Sequence, residues 1–221
     1  MSRFPTIRPH ASTQIPEPPI ARFLFADSRI AWLWLIVRLY VGYEWLSAGW
    51  EKLTGTSIAL DSFGQAQKGG AWVFTNHDGA AITGFVNGAL KQATGAHPAV
   101  QGWYAAFLQN FVLPNSAAFA YMVTFGEVLV GIALILGILT GIAAFFGVFM
   151  NLNYLLAGTV STNPILGFLA LFVILAWRIA GYYGVDRWLL PLIGTPWTGS
   201  LIKHITAPTG LEKPATGRPA L

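Results

Sequence analysis

Residues 118–157 read AFAYMVTFGEVLVGIALILGILTGIAAFFGVFMNLNYLLA, and this stretch decides the fold. It contains a single charged side chain, Glu127, and is otherwise apolar or uncharged. A transmembrane helix needs about 20 predominantly apolar residues, so the stretch is long enough for two. Thr140 and Gly141 lie between them and predict a very tight hairpin. The sequence therefore predicts membrane spans at 118–138 and 142–157.

Two further apolar stretches flank this pair, at 30–50 and 164–183. Over the whole chain 54% of residues are hydrophobic and only 10% are charged, whereas a soluble domain usually carries about a quarter charged residues. These observations predict an all-α integral membrane protein. We expect one membrane domain, residues 30–183, that folds as a bundle of four transmembrane helices.

The long segment at 51–117 connects the first two spans, and two parts of it show helical periodicity. The apolar positions of the two parts are Ile82, Phe85, Val86, Ala89 and Leu90, and then Trp103, Phe107, Leu108 and Phe111. Both parts are too short and too amphipathic to span a bilayer. We expect them to form extra helices that lie on one membrane face.

Lysine and arginine predict the orientation of the bundle. The polar, proline-rich segment 1–29 and the basic tail 184–221 each hold four of these residues, whereas the much longer segment 51–117 holds three. The positive-inside rule therefore places both tails in the cytoplasm and the long loop outside the plasma membrane. The first tail is expected to be mostly disordered and to end in a short interfacial helix near Phe23. A similar interfacial piece is expected at 188–193.

Polar residues interrupt the spans and are the candidate functional residues. At about 1.5 Å per residue, Arg38 lies roughly 12 Å from the cytoplasmic end of its span. Glu127 and Asn151 lie roughly 16 Å from theirs, and Glu44 and Asn153 roughly 20 Å. We therefore expect Arg38, Glu127 and Asn151 to form a buried cluster near the midplane, with the other two above it. The cluster could hold the bundle together, or it could serve a ligand or a proton.

Each polar residue shares a helix face with small residues, which let helices approach closely in lipid. Arg38, Gly42, Trp45, Gly49 and Lys52 follow one face of the first span. Thr124, Glu127 and Gly131 do so on the second, and Gly147, Asn151, Tyr154 and Gly158 on the third. These faces are expected to point into the bundle.

Several kinds of site are not expected in this chain. The sequence contains no cysteine, which excludes thiol chemistry and cysteine-ligated iron–sulfur clusters within the chain. None of the four histidines falls in a predicted span, so we expect no haem site, and no metal site is evident. No nucleotide-binding motif is present, and the basic residues beside apolar spans indicate a lipid bilayer as partner rather than nucleic acid.

The segment RLYVGYEWLSAGWEKL, at 38–53, resembles the opening of the DoxX/DoxD family of four-helix membrane proteins. The resemblance continues through FGEVLVGIALILGILT at 125–140, NLNYLLAG at 151–158 and GVDRWLLP at 184–191. It covers roughly residues 30–195, and the long loop is more similar to the DoxD branch. Family resemblance raises the expectation of quinone-linked redox chemistry without fixing the substrate.

The DoxD branch includes the membrane subunit of thiosulfate:quinone oxidoreductase, so the resemblance implies electron transfer from thiosulfate to quinone. A quinone would use the midplane residues as hydrogen-bond donors and proton relay. The outer-face cations available for a thiosulfate dianion are Lys52, Lys68, His77, Lys91 and His97. Because the chain carries no recognisable redox centre, a second redox subunit or a homo-oligomer is the expected partner. Two alternatives remain open, a non-catalytic scaffold of a redox complex and a transporter of small solutes or protons.

Overall fold

The computed structural model describes residues 18–60, 66–68 and 70–195, and this part of the chain is mostly helical. Its α-helices are α1 (Pro19–Ala26), α2 (Ala31–Thr54), α3 (Ala80–Lys91), α4 (Gly102–Phe107), α5 (Ser116–Leu136), α6 (Thr140–Leu156), α7 (Asn163–Leu175), α8 (Trp177–Ala180) and α9 (Asp186–Leu192). The predominantly helical fold is confirmed. The sequence did not predict two short antiparallel strands, β1 (Thr56–Leu60) and β2 (Ala66–Lys68), directly after α2.

The predicted tails fall partly outside the described residues, at 1–17 and 196–221. Helix α1 lies where the short interfacial helix near Phe23 was expected, and it begins with Pro19, a residue suited to the first turn of a helix. Helix α9 lies at the piece expected at 188–193 and begins slightly earlier. Neither helix is part of the bundle, but the turn before α9 closes one end of the bundle.

Helices α2, α5, α6 and α7 form the bundle, with α2 packed along α5 and α6 packed along α7. Glycine makes the first contact possible. A Cβ at Gly131 would lie 2.5 Å from the Leu46 amide nitrogen, and one at Gly49 would lie 2.7 Å from the Val128 amide nitrogen. Real Cβ atoms do not approach backbone so closely, so the two helices can meet at this distance only where no side chain intervenes. The small-residue faces predicted for the first two spans therefore do pack together.

One helical path in the described part of the chain, Gly102–Leu136, is long and apolar enough to cross a membrane. Helices α6 and α7 are apolar but shorter. The path joins α4 to α5 through a π-helical turn, Leu108–Val112, and a 3₁₀ turn, Leu113–Asn115. The helix expected around Trp103–Phe111 is present as α4 and the π-helical turn, but it continues into α5 instead of standing apart, because Pro114 is accommodated in the irregular turns rather than ending the helix.

The segment between α2 and α5 packs against the bundle. Its buried side chains form a second hydrophobic cluster with the start of α5 and the end of α6; the members include Val73, Val86, Val100, Tyr104, Leu108, Val112, Ala120 and Ala157. We call this end of the bundle, where Thr54, Ser116 and Asn163 lie, the loop end. The opposite end, where Ala31 and Leu136 lie, is called the tail end.

Candidate functional site

A buried charge network lies near the loop end. Glu127, in the middle of α5, is 1% exposed. Its Oε2 lies 2.7 Å from the Lys52 ammonium, and its Oε1 accepts a 2.5 Å hydrogen bond from the Tyr154 hydroxyl. Gly49 packs directly on Glu127, which places the next turn of α2, and with it Lys52, over the carboxylate. We call Lys52, Glu127 and Tyr154 the Glu127 triad.

Lys52 is enclosed as well as paired. Its ammonium lies 4.9 Å from the centre of the Trp72 ring and donates to the carbonyl oxygen of Ala48 at 3.3 Å. Its side chain is only 17% exposed. A carboxylate, an aromatic face and a carbonyl together replace the water that an exposed lysine would hold. Trp45 stacks beside Tyr154, with ring centres 6.4 Å apart, and holds the phenol in place.

Arg38 does not join Glu127 in the buried cluster that we expected near the midplane. Arg38 is buried near the tail end, where its guanidinium lies against Gly137 and Gly184 and donates to the Tyr183 carbonyl oxygen at 3.3 Å. Arg38 precedes Gly49, the residue level with Glu127, by roughly 16 Å along α2. The expectation failed because we counted the depth of each residue from the predicted end of its own span. In the structure α2 extends past the end of α5, so Arg38 faces the turn that follows α5.

Asp186 also lies at the tail end, and it was not among the residues selected from the sequence. Its buried carboxylate accepts the backbone N–H groups of Leu139, at 2.6 Å, and Thr140, at 2.8 Å. These are the groups that a helix start leaves unpaired, so Asp186 caps α6 from a distant part of the chain. It is also the opposite charge that acts on Arg38. The only available signal was an acidic residue within the segment GVDRWLLP.

The two asparagines occupy different places. Asn151 is buried where α6 meets α7, beside Gly167, and within the described residues its amide atoms have no hydrogen-bond partner. Asn153 donates to the Phe149 carbonyl oxygen at 2.7 Å, and its Oδ1 accepts from the Tyr104 hydroxyl at 3.0 Å. The single midplane cluster that we expected is therefore divided among several sites.

A large apolar cavity of about 620 Å³ lies between α3, α4, α5 and α6. Its walls are aromatic, aliphatic and methionine side chains, including Phe85, Phe107, Met122, Leu129, Phe149 and Met150. Hydroxyl and amide groups come only from Tyr104, Asn153 and Tyr154 among the lining residues. The exposure of Met122 and Leu129 shows that the cavity reaches the outer surface of the bundle. We call it the apolar cavity.

A second, polar cavity of about 290 Å³ adjoins it at the loop end and is called the vestibule. Its polar lining residues are Glu44, Lys52, Glu127, Tyr154, Thr159, Ser161, Thr162 and Asn163. Trp72, Phe85 and Tyr154 line both cavities. The Glu127 triad therefore stands between an apolar chamber and a polar one.

The described side chains of the expected outer-face anion site do not share one cavity. Among the candidates whose side chains the structure describes, only Lys52 lines the vestibule. His77, Lys91 and His97 are exposed, and Lys68 lies in β2. The turn that carries His77 is held by Asp78, whose carboxylate accepts from the Tyr121 hydroxyl at 2.6 Å and from Thr75. These hydrogen bonds lower the pKa of Asp78, and the bond from Tyr121 has the largest effect.

Comparison with known proteins gives one match. The protein-family model described as DoxX matches residues 33–159, which is more than half of the 221 residues. The matched segment contains Arg38 and the whole Glu127 triad but ends before Asp186. No curated protein and no solved structure matches the chain.

Proposed function

The chain belongs to the DoxX family of membrane proteins, and from that premise we propose that it is the membrane subunit of a quinone-linked oxidoreductase. The apolar cavity is the observation that carries this proposal. Ligand pockets are typically about 300–1,000 Å³, mostly apolar, with a few polar groups that orient the ligand. The cavity has this size and this division between apolar walls and polar groups.

The cavity suits a quinone in particular. A quinone has a flat apolar ring with oxygen atoms at its edge, and the cavity offers aromatic walls together with the hydroxyls of Tyr104 and Tyr154. Met122 and Leu129 line the cavity and are exposed on the outer surface of the bundle, where a lipid-dissolved molecule can reach it without crossing water. The cavity would therefore receive its ligand from the bilayer.

We further propose that α2, α5, α6 and the α7–α8 segment are four membrane spans, with both tails in the cytoplasm. The apolar faces of these helices and the excess of lysine and arginine in the tails support this arrangement. The loop end and the vestibule then face the outside of the plasma membrane. The cavity opening lies within the lipid-facing part of the bundle.

The electron donor is proposed to be thiosulfate, as the family resemblance suggests. Two thiosulfate ions would lose two electrons to become tetrathionate, while one quinone gains two electrons and two protons to become the quinol. Among the described residues one lysine lines the vestibule, and this lysine is paired with Glu127. A dianion needs more cationic groups than that, so we assign thiosulfate binding to a partner subunit or a second copy of the chain.

Filling the apolar cavity tests the proposal. A Cβ at Gly126 would meet only the flexible Met150 sulfur, at 3.3 Å, so the leucine of Gly126→Leu would extend into the cavity. Gly88→Leu is the matched control, because Gly88 is also helical and a Cβ there meets nothing within 4 Å. Binding of decylubiquinone to the purified protein in lipid nanodiscs can be followed by quenching of tryptophan fluorescence, since Trp72 lines the cavity.

We expect Gly126→Leu to weaken decylubiquinone binding at least tenfold and Gly88→Leu to match the wild type. Wild-type protein with its co-purified partners should then reduce decylubiquinone when thiosulfate is added. Equal binding by both variants and the wild type would reject the apolar cavity as the quinone site. Binding without thiosulfate-dependent turnover would retain the quinone site and reject thiosulfate as the donor.

A further inference from the structure

We infer that Tyr154 and Glu127 form the proton path between the apolar cavity and the vestibule, so that a bound quinone exchanges protons at the loop end. This inference rests on the proposed quinone site and adds to it the route and the side of proton exchange. It gives a specific task to the buried Glu127 carboxyl and the partly buried Tyr154 phenol, which quinone binding alone does not require.

The path is continuous in the structure. Tyr154 lines the apolar cavity, and its hydroxyl donates to Glu127 at 2.5 Å. Glu127 does not line the apolar cavity, but it does line the vestibule. A proton can therefore leave the cavity through one phenol and one carboxyl. Proton transfer needs hydrogen-bond contact of this length between donor and acceptor.

The hydrogen bond between Tyr154 and Glu127 can carry the two protons that quinone reduction consumes. The proposed sulfur donor supplies the two electrons. For each proton, the Tyr154 hydroxyl turns toward the ligand and gives its proton to a quinone oxygen. Tyr154 then takes a proton from Glu127, and Glu127 takes one from water in the vestibule.

The remaining charged and titratable groups support this path without carrying it. Lys52 pairs with the Glu127 carboxylate at 2.7 Å and lines the vestibule beside it. Glu44 faces the vestibule, and Tyr104 faces the apolar cavity. Glu51 also acts on Glu127 through its charge but lines neither cavity.

The buried charged residues of the tail end lie apart from both cavities. Arg38 donates to a carbonyl oxygen there, and both oxygens of Asp186 accept backbone N–H groups. Neither residue lines the apolar cavity or the vestibule. Among the described residues, the ionisable groups that connect the apolar cavity to the vestibule are therefore Tyr154 and Glu127.

Infrared difference spectra test the path without any biological electron donor. A film of the protein with bound decylubiquinone is reduced and reoxidised at an electrode, which supplies the electrons. We expect the wild type to show a carboxyl band that changes with the quinone bands and that disappears in Glu127→Gln. In Tyr154→Phe, which keeps the ring and loses the hydroxyl, quinone cycling should slow by roughly 100-fold while binding persists. Asp27→Asn is the control and should match the wild type, because Asp27 pairs with Arg29 and lines neither cavity.

The possible failures can be distinguished. An absence of bound-quinone bands from the wild type would reject the quinone site itself. The proton path would be rejected, and the quinone site retained, by either of two results obtained with normal quinone bands. One is a set of carboxyl bands that is unchanged in Glu127→Gln, and the other is a cycling rate that is unchanged in Tyr154→Phe. Tryptophan quenching on each variant confirms that decylubiquinone is still bound.

The side of exchange has its own test, because the chain contains no cysteine and a single introduced thiol is unique. Thr162→Cys places a thiol in the vestibule lining, and Val160→Cys places one on the exposed side of the same turn, outside the lining. A bulky methanethiosulfonate reagent on Thr162→Cys should slow quinone cycling at least tenfold, and on Val160→Cys it should have no effect. Equal cycling rates after both modifications would overturn exchange through the vestibule.

Discussion

Replacing Lys52 with methionine removes the cation that neutralises Glu127 and keeps most of the apolar stem. Coulomb's law with an effective dielectric constant near 20 gives about 6 kcal/mol for unit charges 2.7 Å apart. Part of this is offset, because Lys52 regains water on unfolding and Glu127 keeps its hydrogen bond from Tyr154. Breaking a buried ion pair from one side typically costs about 3–5 kcal/mol, and we expect Lys52→Met to fall in that range.

Unfolding in mixed micelles with increasing dodecyl sulfate measures this free energy. The assay should include Glu127→Gln and the double variant, since a double-mutant cycle isolates the interaction between the two residues. We expect the double variant to be more stable than the sum of the single changes predicts, by about 1–3 kcal/mol. The exposed Lys91→Met serves as control and should change stability by less than about 0.5 kcal/mol. Additive effects of the two single changes would refute the buried ion pair.

Further predictions concern packing, pH and orientation. Gly131→Ala should destabilise the bundle by about 1–3 kcal/mol in the same unfolding assay, whereas Gly84→Ala, where a Cβ meets nothing within 4 Å, should not destabilise it. The pKa of Asp78 is lowered on folding, so its contribution to stability is present above its unfolded value near 4 and is lost as pH falls through the lower folded value. In the wild type, residues 73–80 should therefore be better protected from hydrogen exchange at pH 6 than at pH 3. In Asp78→Asn this protection should depend much less on pH. In intact cells an impermeant maleimide should label Thr94→Cys but not Ser28→Cys; the reverse pattern would contradict the proposed orientation.

The apolar stretches and the small-residue faces made part of the candidate site predictable. Glu127 was selected because a carboxyl within 40 apolar residues needs a partner, and Lys52 was placed on the packing face of its helix. Their pairing was not predicted. The two residues lie far apart in the sequence, and their levels depend on how far α2 slides along α5, which the Gly49 and Gly131 contacts decide.

The sequence by itself determined the helical character of the chain, its preference for lipid and the presence of a tight turn between α5 and α6, because these follow from local apolarity and turn chemistry. The turn lies at 137–139 and not at Thr140–Gly141 as predicted, since α6 already begins at Thr140. Only the tertiary structure decided that Arg38 belongs to the tail end, that Asp186 caps α6, and that the long loop folds over α5 to enclose the apolar cavity. Each of these depends on contacts between residues distant in the chain. Such contacts are set by helix ends and by the closeness of backbone packing, and neither can be read from periodicity alone.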